Sequence, residues 1–449
     1  MKKILKKLSS IQVVMLSFFL LILLGSVLLS LPISSANGKA VSYIDALFTS
    51  TTATCVTGLV TVPTVSTWST FGHIVILLLI QIGGLGVITV ISGIMILLHR
   101  KIDISDRILI SESFNLDSLS GIVRFIKKVI ILSVVIELAG AILYMSVFVP
   151  EFGIRGIWIS VFTAVSAYCN AGIDIFAENS FCDYALNPVI NITTILLIVL
   201  GGMGFVVLFE LGNFFTNRKR RHVKFLSLHT KIVLSVTAFL ILIGAVLIFV
   251  FEYNNPNTMH DYSLPQKIMV SLFQSVTTRT AGFASVPQEN FTNASSFVSI
   301  LLMFVGGSPA GTAGGVKTVT VFVMFITALS VIRNKRTVDV FNRQISVDII
   351  KKAVAVFMMS LFIVLISTVL ILAFEGGNLI DVAYETISAT ATVGLTRNFT
   401  GTMGNAGKII IIFTMYLGRI GPISLAFAFS VNKFRENKIE NPVEKINLG

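Results

Sequence analysis

Eight apolar stretches are long enough to cross a bilayer, and nothing else in this sequence constrains the fold as strongly. They are Ile11–Leu31, Ile74–Leu98, Val129–Val149, Val189–Phe209, Ile232–Phe251, Ser296–Ile332, Ala353–Phe374 and Ile409–Val431. A hydrocarbon layer of about 30 Å is crossed by about 20 apolar residues in a helix. Ser296–Ile332 is too long for one crossing and is interrupted internally. Charged residues make up only 12% of the chain, against about a quarter in an ordinary soluble domain. The deficit runs the whole length, so the solvent for most of the chain is lipid.

The basic residues fix an orientation. Lys2, Lys3, Lys6 and Lys7 precede the first stretch, and further groups lie in Arg100–Lys128, Arg218–Lys231, Arg333–Lys352 and Lys433–Lys445. If each stretch crosses once, 26 of the 34 Lys and Arg fall on one side. This positive-inside bias predicts cytoplasmic termini, and it accounts for the net charge of +12 without nucleic acid as a partner. The lysine-led first stretch invites a signal-peptide reading, but its apolar run exceeds the usual 7–15 residues, so a retained first helix is expected. Cys55, Cys169 and Cys182 give no disulfide framework.

The outer connections contain half-length apolar segments, Val41–Thr54, Gly156–Tyr168, Lys267–Thr278 and Leu379–Ala391. At 1.5 Å per residue such helices reach about 20 Å and do not cross. Each leads into a small, polar stretch with a glycine: TATCVTGL, SAYCNAGI, TTRTAGF and SATATVGL. The glycines are Gly58, Gly172, Gly282 and Gly394, separated by 114, 110 and 112 residues. A second set, Gly83, Gly201, Gly306 and Gly418, follows at 25, 29, 24 and 24 residues. Two marks at one period indicate four internal repeats, a common plan among transport proteins. The repeats divide the chain into 1–98, 99–215, 216–332 and 333–431, with a cytoplasmic tail at 432–449. The fold class expected is an all-α integral membrane protein, each repeat a helix, pore half-helix, filter loop and helix around a pseudo-fourfold pore. Repeats one and two are expected to keep an unbroken second helix.

Non-helical backbone at membrane depth must be buried in protein or line a water-filled cavity. Four re-entrant stretches converging on one axis meet that rule, and their carbonyls can replace an ion's hydration shell. The filter positions are then Val56, Thr57 and Gly58; Asn170, Ala171 and Gly172; Thr280, Ala281 and Gly282; Thr392, Val393 and Gly394. Arg279 is the one charge in these motifs, so selection rests on neutral oxygens, suited to the loosely hydrated potassium ion. The half-helices add the negative ends of their dipoles. The competing reading, glycines as helix caps or packing contacts, does not explain four in register.

The motifs resemble those of the Trk/Ktr/HKT superfamily of potassium transporters over nearly the whole chain, and the early first span is similar to the bacterial Ktr membrane subunit. The resemblance implies a homodimer with one pore per protomer, on a cytosolic ring of nucleotide-binding RCK subunits. It implies transported K+ at the filter glycines, Na+ as activator, a bacterial plasma-membrane location and no organic cofactor in this chain. In plant relatives a serine at the first filter position accompanies sodium preference, so Gly58 points to potassium.

The sixth stretch contains Gly306, Gly307, Ser308, Pro309, Ala310, Gly311, Thr312, Ala313, Gly314 and Gly315. In a helix interior, five glycines cost about 1 kcal/mol each and the proline about 3 more. An irregular mid-membrane loop below the filter is expected, resembling the intramembrane gate of Ktr proteins. Its GTAGGVKT lacks the ending of a phosphate-binding loop and lies where no nucleotide reaches. Lys317 and Arg419 are the basic residues within spans, where a charge marks a functional site or a buried pair. Lys317 is expected to help hold the loop shut, or to snorkel. Arg419 either faces the pore as a barrier, anchors the loop through backbone carbonyls, or pairs with Glu137 or Glu210. Asp381 and Glu385, in or beside the fourth half-helix, could attract cations toward the mouth, but the preferred reading is that they only cap or solvate that helix.

Two other functions were weighed. A cation-coupled solute transporter carries carboxylates within spans, and here only Glu137 and Glu210 qualify. A membrane enzyme needs a constellation, whereas His73, His99, His222, His229 and His260 are scattered. A less selective Na+/K+ pathway stays open.

Overall fold

The computed structural model describes residues 10–98, 104–114, 120–216 and 226–421. Residues 1–9, 99–103, 115–119, 217–225 and 422–449, which hold the N-terminal lysines, parts of two basic connections and the polar tail, lie outside the described residues.

The first repeat comprises α1 (Ser10–Ser30), α2 (Tyr43–Cys55), α3 (Thr70–Leu85) and α4 (Val87–Leu97), followed by α5 (Ile104–Phe114). The second comprises α6 (Ile122–Phe152), α7 (Ile154–Tyr168), α8 (Pro188–Gly202) and α9 (Phe205–Thr216). The third comprises α10 (Leu228–Glu252), α11 (Leu264–Thr277), α12 (Asn293–Phe304) and α13 (Thr318–Ile332). The fourth comprises α14 (Val347–Phe374), α15 (Leu379–Ala391) and α16 (Asn405–Ile420), entered through a small hairpin of β1 (Asp339–Val340) and β2 (Arg343–Gln344). Four half-helices, α2, α7, α11 and α15, stand where the apolar half-segments predict them.

The opening helix of every repeat, within α1, α6, α10 and α14, is long and apolar enough to cross a membrane. Each carries large apolar side chains outward, such as Leu24 at 59% exposure, Ile142 at 66%, Leu242 at 63% and Val369 at 64%. Water would penalise that surface and lipid does not, so this is a multi-pass membrane protein.

The closing helices differ from the expectation. Those of repeats one and two are not unbroken: α3 and α4 meet at 99°, and α8 and α9 at 104°. The breaks fall at Gly86 (φ 86°) and between Gly202 and Gly204 (φ 89°). In repeat four α16 ends at Gly421, whose angles of φ 88° and ψ 137° nearly repeat those of Gly86. Hydropathy registers an apolar run but carries no direction, so a right-angled bend inside it left no trace in composition. Among the described residues, repeat three opens the break into a loop.

The second glycine set explains its own register. A Cβ at Gly83, Gly201 or Gly418 would overlap the carbonyl oxygen of Thr54, Tyr168 or Thr390, respectively. Each of those carbonyls belongs to the residue four before a filter glycine. The closing helix thus packs backbone to backbone against the end of the half-helix, and only glycine permits that approach. Gly306 meets the carbonyl of Gly314 instead, because in repeat three the partner is the loop.

Candidate functional site: a four-part filter and the loop beneath it

Each half-helix ends in the same short distortion. The residues two before the glycines, Val56, Asn170, Thr280 and Thr392, have φ of 57°, 60°, 64° and 52°. Three are β-branched, a residue type that resists the left-handed region. Backbone strain repeated four times in register is typical of a functional segment.

Hydrogen bonds back to the half-helix hold these strands. The N–H groups of Thr57, Ala171 and Val393 donate to the carbonyls of Thr52, Ser166 and Ser388 at 2.8, 2.7 and 2.8 Å. The side-chain oxygens of the same three residues accept from the N–H groups of Gly58 (2.9 Å), Ile173 (3.0 Å) and Gly394 (3.0 Å). In repeat three the Thr277 hydroxyl donates to the Phe283 carbonyl at 2.6 Å. These hydroxyl residues, six before the glycine in three repeats, were missed in the sequence; their common spacing was the available signal.

The glycines close a ring. A Cβ on Gly58 would lie 2.5 Å from the Ala171 carbonyl oxygen, on Gly172 2.5 Å from that of Ala281, and on Gly282 2.5 Å from that of Val393. On Gly394 it would overlap that of Thr57. Each glycine therefore abuts the residue before the glycine of the next repeat, and the fourth returns to the first. The twelve positions expected from the sequence are the four left-handed residues, the four residues whose carbonyls are approached and the four glycines just described. Thr57 Oγ1, Asn170 Oδ1 and Thr392 Oγ1 are buried without a hydrogen-bond partner among the described residues; buried oxygens of that kind are normally supplied by water or an ion.

A cavity of about 250 Å³ is lined by all four glycines and by Asp174, Glu178 and Glu289. A second, of about 450 Å³, is lined by Pro309–Gly311, Ala313–Gly315, Lys317 and Arg419. The two share no lining residue.

The loop is closed at its neck, where Gly306 N–H donates to the Val316 carbonyl at 2.9 Å. It is pinned to the bend of repeat two: Ser308 and Thr312 N–H donate to the carbonyls of Gly202 (2.9 Å) and Gly201 (3.1 Å), and Phe205 N–H to that of Ala310 (3.0 Å). Thr312 Oγ1 reaches the Tyr168 carbonyl at 3.1 Å. Three cations, Arg279 buried and Lys317 and Arg419 half-buried, donate to its backbone. Arg279 Nη2 donates to the Gly306 carbonyl at 3.0 Å, Lys317 Nζ to that of Ala313 at 2.7 Å, and Arg419 Nη1 to that of Thr312 at 2.6 Å. Arg419 Nη2 also reaches the carbonyl of Gly83, in the bend of repeat one.

Arg419 therefore binds backbone rather than a carboxylate. Glu137 instead accepts from Gln81 Nε2 at 3.0 and 3.3 Å, and Glu210 from Ser227 and Thr230. Lys317 turns toward the loop rather than snorkelling. Asp381 pairs with Arg397 at 2.7 Å. Glu385 neither caps nor solvates its helix: it is fully buried and accepts from the hydroxyls of Thr396 and Thr400, tying the stretch after the fourth filter to the half-helix. Among the described residues no group of His, Cys, Asp and Glu could hold a metal, and the three cysteines are free.

Residues 5–439 match the TrkH family, described as cation transport proteins. The chain belongs to the TrkH family. Members similar to it include the Ktr system potassium uptake protein B of Bacillus subtilis, 38% identical over 98% of this chain and 96% of that protein. The potassium/sodium uptake protein NtpJ of Enterococcus hirae is 35% identical over 100% and 99%. The Ktr system potassium uptake protein D of Bacillus subtilis is 31% identical over 100% and 99%. The fold of this TrkH-family chain also matches the crystal structure of the potassium transporter TrkH from Vibrio parahaemolyticus, with a TM-score of 0.72 at 15% identity, over 92% of this chain and 84% of that one.

Proposed function

We propose that the chain is the ion-translocating membrane subunit of a potassium uptake system. The relatives named as Ktr potassium uptake proteins over nearly their full length support potassium as the transported ion. The observation that carries the mechanism is the cyclic approach of Gly58, Gly172, Gly282 and Gly394, each against the carbonyl of the next repeat. In this reading potassium leaves its water for carbonyl oxygens on the pseudo-fourfold axis. The loop Gly306–Gly315, with Lys317 and Arg419, is the gate below them. A pathway admitting both Na+ and K+ is the second reading, favoured by the name of the Enterococcus relative.

A partner subunit follows from the word "system" in the names of the Ktr relatives. We assign it as a cytosolic ring of nucleotide-binding RCK subunits beneath a homodimer of this chain. The basic connections are its docking surface, and both termini face the cytoplasm of a bacterial cell, with Na+ as activator. The test is growth of a potassium-uptake-deficient bacterium at low external potassium. The chain with its partner subunit restores growth and the Gly282→Asp variant does not; failure of the intact chain would remove potassium uptake, and rescue by the variant would remove the filter.

A further inference from the structure

The residues two beyond the filter glycines are Val60, Asp174, Ala284 and Thr396. All four line the same cavity as the glycines. They form a second ring, one layer outside the glycines, and three of its members are neutral while the fourth is a carboxylate. The repetition that makes the filter uniform is broken here by one charge.

The fold holds that charge in place. Asp174 accepts from the Ser180 hydroxyl and the Ala177 N–H. Ser180 in turn accepts from the N–H of Ala284 at 3.2 Å, and the Phe181 N–H donates to the Ala284 carbonyl at 2.9 Å. The loop carrying Asp174 is thus stitched to the neighbouring member of the same ring. Phe176 stacks on Phe181 with centroids 5.1 Å apart, and Phe181 lies 5.0 Å from Phe283, the residue next to the third filter glycine.

The surroundings are acidic. Glu178 and Glu289 line the same cavity, and Asp183 and the Cys182 thiol lie on the same loop. Glu178 accepts from Ser66 at 3.2 Å. The nearby cation, Arg397, is committed to Asp381 and to the carbonyls of Gln288 and Phe291. Among the described residues the ion pairs do not include Asp174.

We propose that Asp174 sets the apparent affinity for the entering ion at the outer mouth, its carboxylate raising the local potassium concentration just before the ion enters the filter. This rests on the reading of the glycine ring as the ion path. A fixed negative charge in a walled cavity focuses the field on the entering cation. Burial pushes the Asp174 carboxyl up to about 7, with the bonds from Ser180 and Ala177 pulling it back down. Above that value the carboxylate is ionised and attracts potassium; as external pH falls through it, the charge and the attraction are lost together.

Initial rates of radioactive rubidium uptake, measured in potassium-depleted cells carrying the full chain and its partner, test this. At external pH of about 8, Asp174→Asn raises the KM by about two- to fivefold and leaves the maximal rate near that of the parent. At external pH of about 6 the parent approaches the KM of the variant, while Asp174→Asn does not respond and Asp174→Glu keeps the response. An unchanged KM and pH profile in Asp174→Asn would overturn the assignment. So would loss of maximal rate in both variants with no change of KM, since the carboxyl would then only brace its loop. A Gly282→Ser control with unchanged uptake and selectivity would overturn the path itself, whatever Asp174→Asn does.

Discussion

Arg419 donates to carbonyl oxygens of two different repeats, Thr312 in the loop and Gly83 and Gly84 at the bend of the first. Replacing it with glutamine removes a charge that clamps the proposed gate, and leaves those buried carbonyls short of a donor. An unsatisfied buried group costs about 1–3 kcal/mol, and the cost falls on the closed arrangement in which the bonds exist. Arg419→Gln is therefore expected to raise rubidium flux in the absence of the partner subunit by roughly tenfold per 1.4 kcal/mol lost. Lys317→Ala removes a single bond, to Ala313, and raises flux less. Wild-type resting flux in both variants would show that the loop is not held by these cations. The position of Arg419 inside an apolar span was legible in the sequence, and so was its oddity. Its partners were not, because a backbone carbonyl has no residue type and a search for opposite charges passes over it. Glu385 misled for a related reason: nothing at the chain level distinguishes a carboxylate at a helix surface from one received by two threonine hydroxyls.

At the scale of elements, the half-helices were legible because an apolar run of thirteen residues cannot cross and must end at depth. The loop was legible because glycines and a proline make a helix untenable there. The bends of the closing helices were not, since a pair of glycines in an apolar run is tolerated in a straight helix. What places these bends is contact: Gly83, Gly201 and Gly418 lie against the carbonyls of Thr54, Tyr168 and Thr390 near the ends of the half-helices. Gly201→Ala forces a methyl onto the Tyr168 carbonyl, whereas a Cβ at Gly202 would meet only Asn170 Nδ2 at 3.5 Å and Ala313 Cβ at 3.7 Å. Overpacking of this kind costs about 1–3 kcal/mol. Thermal unfolding in detergent is expected to show a lowered midpoint for Gly201→Ala and little change for Gly202→Ala. Equal midpoints would mean that helix and half-helix are not in backbone contact.

At the scale of the whole molecule, four similar units enclose one axis and differ in what they place around it. The first and fourth are joined by Lys408 and Asp45 at 2.7 Å, and the third and fourth by Arg397 through the carbonyls of Gln288 and Phe291. The second and third are joined through Ser180 and Ala284. Selection, on this account, belongs to the part that repeats, and control to the parts that do not: the loop of the third repeat, Arg419 of the fourth and Asp174 of the second. The period of about 112 residues announced the first; the departures from it needed coordinates to become meaningful. If the glycines form one filter, a side chain at any of them disturbs the same oxygens. The direct measurement is the ratio of potassium to sodium uptake in Gly58→Ser, Gly172→Ser, Gly282→Ser and Gly394→Ser, each with confirmed membrane expression. The account predicts that all four lower the ratio, and a variant that kept the parent's ratio and rate would contradict it.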